Sequence, residues 1–280
     1  MQNITLSNSV QMPILGFGTF QIAPQDTEHL VSTAIQAGYR HIDTAQSYQN
    51  ECEVGLAIKN SGIARDEFFI TTKVWISNYT DCKASVLRSL DRMGLDYLDL
   101  VLLHQPFGDT YSAWRDLEHL YNDGKIRAIG VSNFTPAFAV ALGAGNQVMP
   151  MVNQIEVNPF YQRFDEVEKL QTNDIVVQAW ASFAEGKNDI FNNPVLVQIA
   201  QKYGKTPAQV ISRWLVQRNI VALVKSSRLE RMQENLAIFD FELTADDNAK
   251  IATLDLGKSL IFDHSNPEIA KFLMNYKVDV

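Results

Sequence analysis

Cysteine is scarce in this 280-residue chain: Cys52 and Cys82 are the whole complement. Two thiols make neither a disulfide framework nor a CxxC metal pattern, and they suit a reducing compartment. Basic charge is short as well. Against 32 Asp and Glu there are 24 Lys and Arg, a formal net charge of -8, which argues against nucleic acid as a partner because phosphate backbones need a basic face. No window approaches the roughly 18 apolar residues of a membrane span. The start, Met1-Gln2-Asn3-Ile4-Thr5-Leu6-Ser7, has no basic segment followed by an apolar run, so no signal peptide is expected and the cytoplasm is the default location. No histidine pair has metal-ligand spacing, so no metal is expected. Low-complexity tracts are absent too.

What is present is the composition of an ordinary globular core, 46% hydrophobic and 20% charged. Residues 3 to 13 read as a short hairpin turning at Ser7-Asn8-Ser9. From Leu15 an alternation begins, with strand-like runs at 15–20, 40–44, 68–75, 98–104, 126–132, 151–157, 175–181 and 220–226. Helix-period segments separate them at 27–37, 51–60, 80–93, 111–123, 135–143, 165–172, 194–203 with 206–218, and 229–237. Such alternation predicts βαβ units on a parallel sheet. About eight units without a linker predict one α/β domain over 1–280, a (β/α)8 TIM barrel, whose usual size is about 250 residues. A doubly wound sheet is the alternative. Asp81, Thr135 and Thr206 stand at helix starts as N-caps, and Gly62, Gly94, Gly124 and Gly204 where helices stop. The tail adds a helical stretch from Thr244 to Leu254, a polar loop from Phe262 to Pro267 and a terminal segment.

In a barrel the chemistry belongs at the C-terminal strand ends. Those positions hold Gly18, Thr19 and Phe20; Asp43 with Tyr48; Lys73 and Trp75; His104; Ser132 and Asn133; Gln154 to Glu156; Trp180; Lys225 and Ser226. An acid, a phenol and an amine on neighbouring strands suit proton donation. The Lys73 ammonium is expected to lower the Tyr48 phenol from about 10, with Asp43 holding the lysine charged. His104 and Tyr48 together would hold a carbonyl oxygen on which charge develops. No nucleophile stands beside a base in the sequence; Ser47 has no adjacent strand-end histidine. A proton donor without nucleophile or metal suits hydride transfer from a cofactor.

Gly16-Phe17-Gly18-Thr19-Phe20-Gln21 fails the GxGxxG dinucleotide fingerprint at its third glycine. A better phosphate site is Val224-Lys225-Ser226-Ser227-Arg228-Leu229-Glu230-Arg231, a strand end entering a helix with three cations and two hydroxyls. That density of cations favours a 2′-phosphate, hence NADPH/NADP+. Ser132, Asn133 and Gln154 suit a carboxamide, and Trp180 suits stacking on a nicotinamide ring. Gly18, Thr19 and Asp43 complete the candidate cofactor contacts, while Phe20, Tyr48, Trp75 and His104 are the candidate substrate contacts.

Several spaced motifs closely resemble the aldo-keto reductase family across essentially the whole chain. They are Gly38 to Ala45 with Tyr48 and Asn50-Glu51, then Lys73, Leu103-His104 with Pro106, Gly130 to Phe134, Gln154-Ile155-Glu156, and Lys225-Ser226 with Arg231 and Glu234-Asn235. The resemblance implies a (β/α)8 barrel that binds NADPH without a Rossmann fold. It implies Asp43, Tyr48, Lys73 and His104 as a catalytic tetrad with Tyr48 as acid. It assigns Lys225, Ser226, Arg228 and Arg231 to the 2′-phosphate, and Glu234 and Asn235 to adenine. Trp180 stands where many members have tyrosine, as in the bacterial 2,5-diketo-D-gluconate reductase-like subgroup. Gln105 and Phe20 replace tryptophans common in the family and alter the substrate pocket. The family favours a monomer acting on small-molecule carbonyl substrates.

Taken singly, each residue has a plainer reading: Asp43–Lys73 a structural ion pair, Asn133 a turn residue, Trp75 and Trp180 core aromatics. Two rival functions follow from the same barrel. One is a nicotinamide-binding regulatory module with little turnover; the other is a hydrolase or isomerase using Asp43 with Glu51 or Glu156.

Overall fold

The computed structural model describes residues 2–278. An antiparallel hairpin, β1 (Asn3–Thr5) and β2 (Gln11–Pro13), pairs Ile4 with Met12 and precedes the barrel. Eight parallel strands then close on themselves: β3 (Leu15–Gly18), β4 (His41–Asp43), β5 (Phe69–Val74), β6 (Leu100–Leu103), β7 (Ile129–Ser132), β8 (Val152–Glu156), β9 (Val176–Trp180) and β10 (Ile220–Val224), with β10 pairing back onto β3. The outer layer is α1 (Pro24–Ala37), α2 (Glu51–Asn60), α3 (Cys82–Met93), α4 (Thr110–Asn122), α5 (Pro136–Ala144), α6 (Phe164–Gln171), α7 (Pro194–Tyr203), α8 (Pro207–Gln217) and α9 (Leu229–Leu236). This is the expected TIM barrel rather than a doubly wound sheet. Every strand sits within a few residues of its sequence-predicted run.

The strands read as unbroken apolar runs because both faces are covered, the outer by helices and the inner by side chains filling the barrel. All six residues of β5 are buried, including Thr71, Thr72 and Lys73. Gly16 has a packing reason: a Cβ there would lie 2.8 Å from the His41 ring and 2.7 Å from Leu223. Its glycine serves barrel packing, not a phosphate cradle.

Helix starts follow the sequence at two of three positions. Thr206 and Gln209 form a reciprocal capping box on α8, and the Thr135 hydroxyl accepts from Phe138 N on α5. Asp81 sits at the α3 N-cap position but does not cap; its carboxylate instead pairs with Arg88 at 2.9 Å. Gly94 ends α3 in the left-handed region, φ 64°, which releases its N–H to the Leu90 and Asp91 carbonyls.

The tail crosses the C-terminal face of the barrel. After α10 (Ala245–Ala252), Ser259 Oγ donates to Glu156 Oε2 at the end of β8. A further helix, α11 (Pro267–Asn275), occupies what sequence patterning leaves as a plain terminal segment. Beyond it the Trp75 indole donates to Tyr276 O at 2.7 Å, and Ser77 exchanges hydrogen bonds with the Val278 backbone. Among the described residues no helix is long and apolar enough to cross a membrane.

Candidate active site

Strand register brings the ionisable groups together. Gly18 pairs with Asp43, Asp43 with Thr71, and His104 N continues the β5–β6 ladder to Val74 O. Asp43, Lys73 and His104 therefore leave the C-terminal ends of three neighbouring strands. Tyr48 closes the single 3-10 turn Gln46–Tyr48 that follows β4.

Lys73 Nζ has three donors and three acceptors: Asp43 Oδ1 at 2.5 Å, Thr44 O at 2.9 Å and the Tyr48 phenol oxygen at 3.2 Å. Asp43 Oδ2 accepts from Gln154 Nε2 at 2.8 Å. Burial pushes the Asp43 carboxyl up on balance, although Lys73 and Gln154 pull it part of the way back. Burial also opposes charge on Lys73, but Asp43 and Tyr48 outweigh it and hold the amine above its usual value. With every polar atom of the pair partnered, the pair is ionic.

The direction for Tyr48 corrects the sequence expectation. Burial pushes the phenol up, Lys73 pulls it down, and Asp43 pushes it up again; the net is upward. The sequence reading counted the ammonium but not the loss of water. The resting phenol thus keeps its proton. Because Lys73 donates to its oxygen, that proton is directed elsewhere, and no described residue accepts it.

His104 is held neutral, with burial the main cause and Lys73 and His264 adding to it. Its Nδ1 lies 3.4 Å from Ser47 Oγ, so a hydroxyl and an imidazole do meet here, contrary to the sequence reading. Fifty-odd residues separate them along the chain, which is why adjacency could not show it. Tyr48 and Trp75 both pack edge-on to the imidazole.

Beside them lies an amide cluster. Trp180 Nε1 donates to Asn133 Oδ1 at 2.8 Å, and Asn133 Nδ2 reaches His104 O, Ser132 Oγ and Gln105 Oε1. Asn133 adopts φ 65°, a left-handed turn that asparagine tolerates. Beneath the cluster, Gln154 Nε2 also donates to Gln178 Oε1, whose amide reaches His41 Nε2. His41, given no catalytic role from sequence, thus touches the Asp43 carboxylate through two glutamines in the barrel interior.

These groups open into a cavity of about 610 Å3. Gly18, Phe20, Asp43, Tyr48, Trp75, His104, Ser132, Asn133, Gln154, Trp180 and Lys225 all line it. Thr19 does not; it is fully buried, with its hydroxyl donating to Asp43 O. Sequence reasoning missed part of the wall. Phe183, Glu185 and Phe191 come from the loop after β9, and Phe272 and Tyr276 from the tail; Phe262, in the tail loop that the sequence offers as a pocket wall, lines it as expected. The aromatic content of the tail was the available signal.

Ser226, Ser227, Arg228, Arg231, Glu234 and Asn235 do not line that cavity; they continue from Lys225 along the start and body of α9. Lys225 Nζ donates to Phe20 O and Gln21 Oε1. Ser226 Oγ accepts from Arg228 N, closing a turn at the helix start. Glu234 accepts from Thr206 Oγ1, which ties it to α8, while Asn235 is buried with its Oδ1 unpartnered. A wide cavity lined by the half-buried Gly18, continuing from Lys225 into a cationic helix start, fits an extended dinucleotide.

A sequence model of the aldo/keto reductase family matches residues 14–256. The chain is 44% identical over 256 residues to the glyoxal reductase of Bacillus subtilis, covering 90% of this chain and 92% of that one. Among solved structures it resembles MGS-M4, an aldo-keto reductase enzyme from a Medee basin deep-sea metagenome library. That match has TM-score 0.90 and 39% identity, with 94% and 98% of the two chains covered. It also resembles a Bombyx mori aldo-keto reductase in complex with NADP, at TM-score 0.88 and 31% identity, with 93% and 95% covered.

Proposed function

The chain belongs to the aldo/keto reductase family, and on that premise we propose that Asp43, Tyr48, Lys73 and His104 are the catalytic residues of its carbonyl reduction. The protein is an NADP-dependent oxidoreductase that reduces aldehydes and ketones to alcohols. The regulatory-module alternative draws no support from relatives named as reductases.

One observation carries the residue assignment: Lys73 donates to the Tyr48 oxygen at 3.2 Å and leaves the phenol's own proton free above the cavity. The bound nicotinamide supplies the hydride that reaches the carbonyl carbon. Tyr48 and His104 hold the carbonyl oxygen between them. With Ser47 at Nδ1, the imidazole presents its Nε2 hydrogen to that oxygen. As charge develops on the oxygen, Tyr48 gives up its proton and Lys73 stabilises the phenolate left behind. Asp43 keeps Lys73 charged and fixed throughout.

Ser132, Asn133 and Gln154 are proposed to hold the carboxamide, and Trp180 to stack on the ring. Lys225, Ser226, Ser227, Arg228 and Arg231 would take the 2′-phosphate, and Glu234 and Asn235 the adenine. Gly18 and Asp43 would lie against the cofactor, with Thr19 supporting from behind. Phe20, Tyr48, Trp75 and His104 would touch substrate. Trp180 supports a place in the 2,5-diketo-D-gluconate reductase-like subgroup. We take the whole chain as one barrel domain and, as the family resemblance favours, as a monomer. A reducing cytoplasm suits two free cysteines, one of them exposed.

The test follows NADPH absorbance with a reactive aromatic aldehyde. Oxidation with formation of the alcohol is expected; tight cofactor binding without oxidation would overturn the reading.

A further inference from the structure

We propose that Gln105 is a specificity-determining residue whose side-chain amide donates to a second, neutral oxygen on the substrate, so that the site favours 2-oxo esters and similar carbonyl compounds. This rests on the reductase reading above. It concerns a residue that directly follows His104 and lines the same cavity.

The orientation of the Gln105 amide follows from one indole. Trp180 Nε1 is a donor only, so the Asn133 atom it meets at 2.8 Å is the carbonyl oxygen. Asn133 therefore turns its NH2 the other way, where His104 O and Ser132 Oγ accept at 3.2 Å and 3.1 Å. The same NH2 faces Gln105 at 3.4 Å, sharing one of its two hydrogens, so the Gln105 atom there is its oxygen. His264 Nε2 approaches that oxygen at 3.0 Å and donates to it. Burial pushes the His264 imidazole down to about 4, which leaves it neutral, and the oxygen beside Nε2 places the proton on that nitrogen.

With its oxygen held from two sides, Gln105 presents its NH2 without a protein acceptor among the described residues. The backbone is held as firmly. Tyr79 Oη donates to Gln105 O at 2.8 Å and accepts from Gln105 N at 3.0 Å. A donor fixed at both ends, beside the oxygen-holding pair, is prepared for an acceptor before substrate arrives.

Charge narrows the acceptor to a neutral one. The other wall groups are uncharged, and among the described residues the charged lining ones are Asp43, Glu185 and Lys225. Lys225 is turned toward Phe20 O and Gln21. A carboxylate next to the reacting carbonyl would find an amide but no free cation, whereas an ester or ketone oxygen asks only for the N–H.

Two activated phenyl ketones test this: ethyl benzoylformate, which carries the second oxygen, and 2,2,2-trifluoroacetophenone, which does not. Gln105→Met should lower kcat/KM for the oxo ester about tenfold more than for the fluoroketone, as expected for one lost hydrogen bond. Gln105→Glu keeps an acceptor for Asn133 and His264 but lacks the donor, and should show the same loss of preference. Equal losses on the two ketones, or a Gln105→Glu protein with the parent's preference, would mean a packing role and overturn the proposal. A parent protein that binds NADPH yet reduces neither ketone overturns the reductase reading and this inference with it.

Discussion

Lys73 Nζ donates to the Tyr48 phenol oxygen at 3.2 Å while the same nitrogen donates to Asp43 at 2.5 Å. The lysine thus touches both the proposed acid and its counter-ion. Because burial keeps the phenol protonated, the ammonium acts chiefly on the phenolate that proton transfer would create.

Tyr48→Phe removes the proton and leaves the ring. Its turnover of an aromatic aldehyde should fall by roughly 100- to 10,000-fold, the usual weight of general acid catalysis. NADPH affinity, read by protein fluorescence, should stay near that of the parent. Near-normal kcat would remove Tyr48 from the acid role.

The ion pair can be separated from the chemistry by its effect on folding. Lys73→Met leaves Asp43 buried with Gln154 as its remaining donor, and stability should drop by about 3–5 kcal/mol. Adding Asp43→Asn removes the orphaned charge, and the double variant should recover part of that loss while staying inactive. Urea unfolding decides it. A double variant no more stable than Lys73→Met would mean that the pair contributes by packing rather than charge.

Much of this was legible in the sequence. Strand ends could be read to within a few residues because parallel strands buried on both faces leave uninterrupted apolar runs, as in Leu100–Leu103. Asp43, Lys73 and His104 could then be placed on one face by the barrel's own geometry. Burial could not be read, so the direction of the Tyr48 shift was wrong. Nor could contacts between distant segments: Ser47 with His104, or Trp75 with Tyr276 some two hundred residues later. The loop after β9 was silent for another reason. Ala184, Glu185, Gly186, Asn188 and Asp189 all take positive φ, and the alanine and the glutamate give no sign of it in the sequence.

Acid should destabilise the fold through a buried histidine. The His41 ring is neutral: Nδ1 faces Pro13 O, and Nε2 accepts from Gln178. Burial, with Lys73, lowers its pKa to about 4. The unfolded chain takes up this proton near pH 6.5 and the folded chain only near 4. Stability is therefore fully present above about pH 6.5 and falls as the pH drops towards 4. Between pH 6.5 and 5 this histidine alone should cost about 2 kcal/mol. His104 and His264 are lowered too, so urea midpoints at those two pH values are compared with those of a His41→Gln variant, which should lose this part of the drop. An equal drop in both proteins would show that His41 titrates normally.

Arg231 tests the cofactor assignment at the far end of the site from the chemistry. It is exposed near the start of α9, one turn after the N-cap Arg228, and among the described residues it forms no ion pair. Nothing in the fold depends on it, so Arg231→Ala should unfold at the same urea concentration as the parent. Its charge would matter only to a group that carries negative charge at that place. If that group is a 2′-phosphate, the variant loses one charge-assisted hydrogen bond and should bind NADPH roughly ten- to a hundredfold more weakly. NADH lacks the phosphate, so its affinity should change little. The ratio of the two dissociation constants is the readout that counts, because general damage to the cleft would weaken both dinucleotides alike. Equal losses would move the 2′-phosphate away from Arg231 and leave Lys225 and Arg228 as its holders.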